Sequence, residues 1–342
     1  MSPHPHADAT RDRPTGSFGV AILGLGTYLP DEVVTNDDLA ATLDTSDEWI
    51  RARTGIEQRH RAATGEATSD IAVEAARRAL DDAGLVASDV KMVLLATSTP
   101  DYKIAACAPM VAAKLGIDAP AMDLNAACSG FVYGLQAATG MVTAGTAPIL
   151  LIGAETMTRI VDPSDRSVSI LFGDGGGAVV LGPDENAELG PFDLGSDGAD
   201  PSGLYIEAGG SAVPVDAEMI DDRRHFLTMR GREIYRFAIA NMSASSQRVL
   251  DQADLTVDDV DLFVGHQANI RILNGVAAQL GVPADRCHTT VNLHGNTSSA
   301  SIPLCLGDAR DHGRLPDGTR VLLTAFGAGL TWGSTLLTWR NP

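Results

Sequence analysis

Residues 125–131 read Asn125-Ala126-Ala127-Cys128-Ser129-Gly130-Phe131, and this stretch decides how the chain is interpreted. Before it, Ala119 to Leu124 reads as a short buried strand entered through Pro120. After it, Phe131, Leu135, Ala138 and Val142 recur at helical spacing. Cys128 is thereby predicted where a strand turns into a helix. A thiol there faces unpaired backbone N–H groups and the positive end of the helix dipole, which favour the thiolate and predict a lowered pKa. The small neighbours Ala126, Ala127, Ser129 and Gly130 leave room for a thioester to reach the sulfur. Free cysteines are also among the most buried residue types. Position alone therefore leaves an ordinary core cysteine open, and the rest of the chain must decide.

The chain has 342 residues, of which 44% are hydrophobic and 20% charged, a globular composition with room for two halves of ordinary domain size. Its formal charge of −19 argues against a general binder of nucleic acid or acidic membranes, although a local basic patch stays open. Cys107, Cys128, Cys287 and Cys305 form no CxxC or Cys/His spacing, so neither a disulfide framework nor a zinc site is expected. That usage predicts a reducing, cytoplasmic setting. No apolar run reaches the roughly 18 residues of a membrane span, and the N-terminus lacks the hydrophobic segment of a signal peptide.

Residues 1–17 are polar and aperiodic and are expected to be a disordered tail, in which His4 and His6 are weak metal candidates. An apolar strand follows from Gly19 to Leu23, then an expected turn from Gly24 to Pro30 and a helix start at Asn36-Asp37-Asp38, capped by Asn or Asp. A second capped helix runs through Thr45 to Ile56, with Trp49 and Arg53 four apart on one face. Ser69 to Ala83 and Ala106 to Leu115 are helices stopped at Gly84 and Gly116. Val90 to Ala96 and Pro148 to Ala154 are strands, and Phe172-Gly173-Asp174-Gly175-Gly176-Gly177 leads into another at Ala178. Strands that are apolar throughout and alternate with helices indicate sheets buried on both faces.

The expected organisation is a first half over residues 18–190, a Gly/Asp/Ser/Pro-rich connection over 191–222 and a second half over 223–342. In the second half, Arg230 to Ala253, Ile270 to Leu280 and Ser299 to Ala309 read as helices, and Leu262 to Val264, Val321 to Ala325 and Ser334 to Trp339 as strands. The endings of the halves echo one another: FGDGGGAVVL from Phe172 and FGAGLTWGSTLL from Phe326. Two similar halves packed together are the consequence.

Three turns carry chemistry: Cys128 in NAACSGF, His266 in GHQAN and Asn296 in HGNTS, each in a Gly- or Ala-rich turn just beyond an apolar run. Singly, His266 could be a structural histidine and Asn296 a turn-former. Together they suit thioester condensation. A cysteine thiolate holds an acyl group covalently. A second thioester then loses CO₂ to become a carbon nucleophile, and neutral donors such as a histidine Nε2–H and an asparagine amide stabilise its enolate oxygen. A carboxylate beside them would oppose that charge, unlike the arrangement in a hydrolytic triad.

With these residues in hand, the chain resembles the β-ketoacyl-acyl-carrier-protein synthase III family of the thiolase superfamily. The resemblance runs from about Gly19 to Trp339 through TSDEWIRARTGI, NAACSGF, LFGDGGGA, GHQANIRIL, HGNTSSASIP and AFGAGLTWGS. It implies an α/β, thiolase-like five-layered αβαβα fold of two pseudo-symmetric halves, usually a homodimer. It implies Cys128 as the acyl-accepting nucleophile and His266 with Asn296 as the decarboxylation pair. The backbone N–H groups of Cys128 and Ala328 would form the oxyanion hole. Trp49 and Arg166 resemble residues that sandwich the adenine of coenzyme A, and Arg53 one that meets its phosphates. Ile104 falls where a side chain, often aromatic, closes the partner subunit's acyl pocket, and Phe326 is placed in the pocket of its own chain. The substrates implied are acyl-CoA and a malonyl-acyl carrier protein, with no permanently bound cofactor and no metal.

Within the superfamily the rival reading is an acyltransferase of a specialised pathway or a polyketide-priming enzyme; the presence of both His266 and Asn296 favours condensation. A plant-type polyketide synthase shares the three residue types, but this chain is shorter. A dinucleotide loop at Gly173-x-Gly175-x-Gly177 is disfavoured because the run leads into a strand rather than opening a helix. Docking an acidic carrier on so acidic a chain needs a local positive patch. Asp221 to Arg236 supplies Arg223, Arg224, Arg230, Arg232 and Arg236, and Arg271 lies just beyond the His266 turn. Arg271, Arg232 and Arg236 are the expected docking residues.

Overall fold

The computed structural model describes residues 19–340. The tail expected over 1–17, with His4 and His6, lies outside the described residues. The first sheet contains β1 (Val20–Tyr28), β2 (Met92–Ala96), β3 (Ala121–Leu124), β4 (Ile149–Thr156) and β5 (Asp174–Pro183), in the order β1-β5-β4-β2-β3. The second contains β6 (Leu189–Ser196), β7 (Leu262–Gly265), β8 (Arg320–Gly327) and β9 (Thr331–Thr338), in the order β7-β8-β9-β6. Both sheets place a parallel pair beside an antiparallel hairpin-like pair and close with an antiparallel edge strand, and the first adds a second parallel pair, β2 with β3. An isolated parallel bridge between Phe263 and Cys287 stands in the second sheet where β3 stands in the first. The echo of Phe172 and Phe326 is thus a repeated topology.

Helices α1 (Asp47–Thr54), α2 (Thr68–Asp82), α3 (Cys107–Leu115), α4 (Gly130–Thr143), α5 (Gly231–Gln252), α6 (Ile270–Leu280) and α7 (Ser301–Asp311) complete the frame. The layers run α2 and α3, first sheet, α4 and α7, second sheet, α5 and α6. This five-layered thiolase-like arrangement explains the uniformly apolar strands. Along β4, Leu151 joins the central core with Phe131, Leu135, Ile302 and Leu323, while Leu150 and Ile152 join the outer core under α2. A strand buried on both faces has no solvent side to alternate with.

Four expectations change. The turn placed at Gly24 does not form, because β1 runs on to Tyr28 and the glycines instead let α2 approach: a Cβ on Gly26 would run into Ala75 O and Ala79 N. Likewise Gly175, Gly176 and Gly177 lie inside β5 rather than in a loop, and a Cβ on Gly177 would sit 2.7 Å from Pro303 Cβ of α7. No phosphate loop exists there. The stretch 191–222 is not wholly a connection, since β6 runs to Ser196 and forms the edge of the second sheet against β9. Locally, the helix expected to begin at Asn36 is capped by Thr35 in a capping box with Asp38, which frees Asn36 to turn inward.

Gly26→Ala forces backbone to move and is expected to cost at least about 1–3 kcal/mol. Its denaturant midpoint should fall clearly; an unchanged midpoint contradicts this packing.

Candidate active site

Cys128 is delivered by β3, a 3₁₀ turn over Ala127–Ser129, and the start of α4 at Gly130. The turn is tight. Ala127 has φ of 46°, a conformation non-glycine residues seldom adopt, and its N–H is held by Asn125 Oδ1 at 3.1 Å. The end of β8 passes directly over it. A Cβ on Gly327 would lie 2.7 Å from Cys128 N and 3.0 Å from Ser129 N, so only glycine fits. Ala328 follows at once, and Thr331 Oγ1 ties it to the Cys128 turn by donating to Ala126 O (2.8 Å) and Ala328 O (3.2 Å).

Cys128, His266, Asn296 and Phe326 line one cavity of about 940 Å³. Cys128 is 7% exposed, and burial pushes its thiol up to about 12, with Ser298 opposing the shift and the Glu155 carboxylate adding to it. The lowered pKa expected from the helix N-terminus is therefore corrected: desolvation of the charged form outweighs the hydrogen bonds from Ser298 and the backbone that favour it, and the thiol rests protonated.

His266 stands at the end of β7, its N–H bonded to Thr324 O at 2.8 Å. Burial pushes the imidazole down to about 3, so the ring is neutral at pH 7. Its Nδ1 lies 2.7 Å from Ser301 Oγ, which also accepts from Gln267 N at 3.4 Å. When that hydroxyl donates to Nδ1 the ring proton is on Nε2, the tautomer that presents an N–H to the cavity. Gln267 braces the same turn. Its Nε2 donates to Gly265 O (2.6 Å), and its Oε1 accepts from Thr290 N (2.9 Å) on the segment leading to Asn296.

Asn296 is hung on the first half. Its N–H donates to Leu171 O at 2.8 Å and its carbonyl accepts from Gly173 N at 3.1 Å. Its Oδ1 accepts from Ser298 N at 2.9 Å, which assigns the amide and leaves Nδ2 as a donor. A buried thiol, a neutral imidazole N–H and an amide N–H thus share a cavity. The histidine's partner is a hydroxyl, not a carboxylate.

The outer part of the cavity is basic. Arg53, Arg232, Arg236 and Arg271 line it, are exposed, and have no ion pair among the described residues. The rest of the expected cluster is neutralised: Arg223 pairs with Asp162, Arg224 with Glu207, and Arg230 with Asp200 and Glu233. Trp49 lines the same cavity, with the Arg53 and Arg166 guanidinium carbons 4.4 and 4.7 Å from its ring centroid. A base stacked between Trp49 and Arg166 needs about 3.5 Å on each side, so Arg166 has to swing away to admit one. Ile104 does not line the cavity of its own chain and is 97% exposed. No group of three or more His, Cys, Asp or Glu that could hold a metal occurs among the described residues, and no helix among them is long and apolar enough to cross a membrane.

The layered fold and the Cys-His-Asn cavity define the class, a thiolase-fold condensing acyltransferase. Residues 122–198 match the family described as 3-oxoacyl-[acyl-carrier-protein] synthase III, and residues 250–339 match its C-terminal family. β-Ketoacyl-[acyl-carrier-protein] synthase III 3 of Streptomyces coelicolor is 49% identical over 323 residues, 93% of this chain and 96% of its own. The Geobacillus kaustophilus synthase III is 43% identical, covering 94% of this chain and 99% of its own. The solved 3-oxoacyl-(acyl carrier protein) synthase III of Pseudomonas aeruginosa superposes with a TM-score of 0.87 at 45% identity, over 94% of this chain and 98% of that one. The chain belongs to the β-ketoacyl-acyl-carrier-protein synthase III family.

Because the resting thiol is protonated, alkylation of Cys128 by iodoacetamide should rise about tenfold per pH unit from pH 7 to 10 without levelling. A plateau near pH 7 contradicts the burial-dominated thiol. Gly327→Ala should suppress Cys128 acylation; full acylation would show that the close approach is unnecessary.

Proposed function

We propose that this cavity carries out decarboxylative Claisen condensation of an acyl group, received from acyl-CoA on Cys128, with a malonyl-acyl carrier protein. The observation that carries the assignment of roles is the placing of the buried His266, its Nδ1 2.7 Å from the Ser301 hydroxyl, in one cavity with the Asn296 amide and Cys128. In the first step the Cys128 sulfur attacks the acyl carbonyl, the bond to the coenzyme A sulfur breaks, and that thiol leaves with the cysteine's proton. The backbone N–H groups of Cys128 and Ala328 receive the oxyanion. In the second step the malonyl carboxylate leaves as CO₂, and its bonding pair becomes an enolate whose oxygen accepts from His266 Nε2–H and Asn296 Nδ2. The enolate carbon then bonds to the acyl carbonyl, the C–S bond to Cys128 breaks with its pair on sulfur, and the thiolate takes up one proton from water to restore the resting thiol. Losing one such donor typically costs about 2.7–4 kcal/mol of barrier.

Trp49, Arg166 and Arg53 are assigned to the nucleotide end of acyl-CoA. Arg232, Arg236 and Arg271 are assigned to the carrier's phosphopantetheine and acidic surface. Their support is that they line an opening, with no ion pair among the described residues, in a chain of charge −19. Ile104 is assigned to a second copy of the chain, where so exposed an apolar side chain would close the neighbouring acyl pocket, and Phe326 to the chain's own pocket. The second reading, priming of a polyketide, is favoured by one observation. The solved priming β-ketosynthase of the R1128 polyketide pathway superposes with a TM-score of 0.88 at 34% identity, over 95% of this chain and 98% of that one. Both readings use the same chemistry and differ in the carrier.

Cys128→Ala should abolish the acyl-enzyme. His266→Ala and Asn296→Ala should retain self-acylation while malonyl decarboxylation falls by about 10²–10³, measured as CO₂ release. Equal loss of both steps would refute the assigned roles. Arg232→Ala and Arg271→Ala should raise KM for the malonyl carrier and flatten its salt dependence; unchanged kinetics would remove them from docking.

A further inference from the structure

Asn296 is held from both sides by buried charged side chains of the first half, and neither has an ion-pair partner among the described residues. On its N-terminal side lies Arg59, 2% exposed. Its Nη2 donates to Ile170 O (2.7 Å), and its Nη1 donates to Asn36 Oδ1 (2.8 Å) and Val34 O (3.3 Å). Ile170 leads straight into Leu171-Phe172-Gly173, the backbone on which Asn296 hangs through both its N–H and its carbonyl. The Arg59 stem packs on the same loop: a Cβ on Gly173 would lie 2.9 Å from Arg59 Cβ, and one on Gly295 3.3 Å from it. Asn36 carries the connection outward by donating to Asp47 Oδ1 (2.8 Å) in the first turn of α1, the helix of Trp49 and Arg53.

On the C-terminal side, the fully buried Glu155 accepts from Ser298 Oγ at 3.0 Å and lies 3.0 Å from Ser299 Oγ, whose single proton it shares with Ala96 O at 2.8 Å. Its other contacts are Thr97 Oγ1 (3.2 Å), Ser98 N and Oγ (3.1 and 3.0 Å), and Thr99 Oγ1 (2.6 Å). Ser298 is the residue whose N–H fixes the orientation of the Asn296 amide.

A buried charge is costly unless hydrogen bonds replace its water. What these two groups supply in return is reach. A planar guanidinium joins two separate segments with fixed geometry, and a carboxylate collects hydroxyls from two. We propose that Arg59 and Glu155 are positioning residues that clamp the Asn296 loop, so that Asn296 Nδ2 meets the developing enolate. The proposal rests on the assignment of Asn296 to decarboxylation.

The test uses the full-length enzyme, acylated at Cys128 and quantified by intact mass before malonyl-acyl carrier protein is added. Arg59→Lys keeps the charge but loses the fork; Glu155→Gln keeps the size but loses the charge. Each should slow CO₂ release by about 10- to 100-fold, the effect of a roughly 1 Å misplacement. The KM for the malonyl carrier should stay within about twofold for Arg59→Lys, and its self-acylation within about threefold. Release at wild-type rates in both variants, or equal loss of both half-reactions in Arg59→Lys, overturns the clamp. If one variant fails to fold, the CO₂ release of the other decides. Asn296→Ala is run alongside: if it decarboxylates normally, the role of Asn296 itself fails, whereas a slow Asn296→Ala beside normal clamp variants refutes the clamp alone.

Discussion

The structure depends on contact between its two halves at a distance that leaves no room for side chains. Gly327 crosses the Cys128 turn, Gly153 faces Ser299 O at 2.5 Å from a would-be Cβ, and Gly177 faces Pro303 of α7. These glycines bring backbone against backbone at the middle of a five-layered molecule. The consequence is chemical: a nucleophile from the first half and two donors from the second converge in one cavity, each on the rim of a buried sheet or helix. Groups held this way need little reorganisation when charge develops beside them.

Charge is partitioned along the cavity. Inside, burial keeps His266 neutral and the Cys128 thiol protonated. Outside, four arginines with no ion pair among the described residues oppose a chain charge of −19. A neutral interior suits a reaction whose negative charge appears only transiently. A positive rim suits substrates delivered on acidic carriers and phosphorylated arms. The carboxylate whose charge reaches the thiol, Glu155, is tied to hydroxyls rather than to the histidine, so it does not cancel the N–H donor that an enolate needs.

Much of this was legible in the sequence because the signals were local. Gly84, Gly116 and Gly281 stop their helices with positive φ, and the all-apolar strands lie in doubly buried sheets. The Cys128, His266 and Asn296 turns stood out by residue type and setting. What escaped depended on distant partners. Gly24 and Gly177 look like turn residues until the helix that packs on each is known. β6 hides in a glycine- and aspartate-rich stretch because its pairing partner β9 is far along the chain. Ser301, Gln267, Arg59 and Glu155 carry no local pattern that distinguishes them, and their roles appear only through contacts made across the fold. The thiol's pKa was misjudged because a helix terminus is visible in sequence while desolvation is not.

The central claim is that Cys128 passes its acyl group to a decarboxylated malonyl unit. The most direct measurement loads the wild-type protein with a panel of acyl-CoAs, adds malonyl-acyl carrier protein, and follows the masses of both proteins. The account predicts an acyl adduct on Cys128 that disappears as a β-ketoacyl carrier appears. An adduct that persists, or is transferred to another acceptor without loss of CO₂, would contradict it.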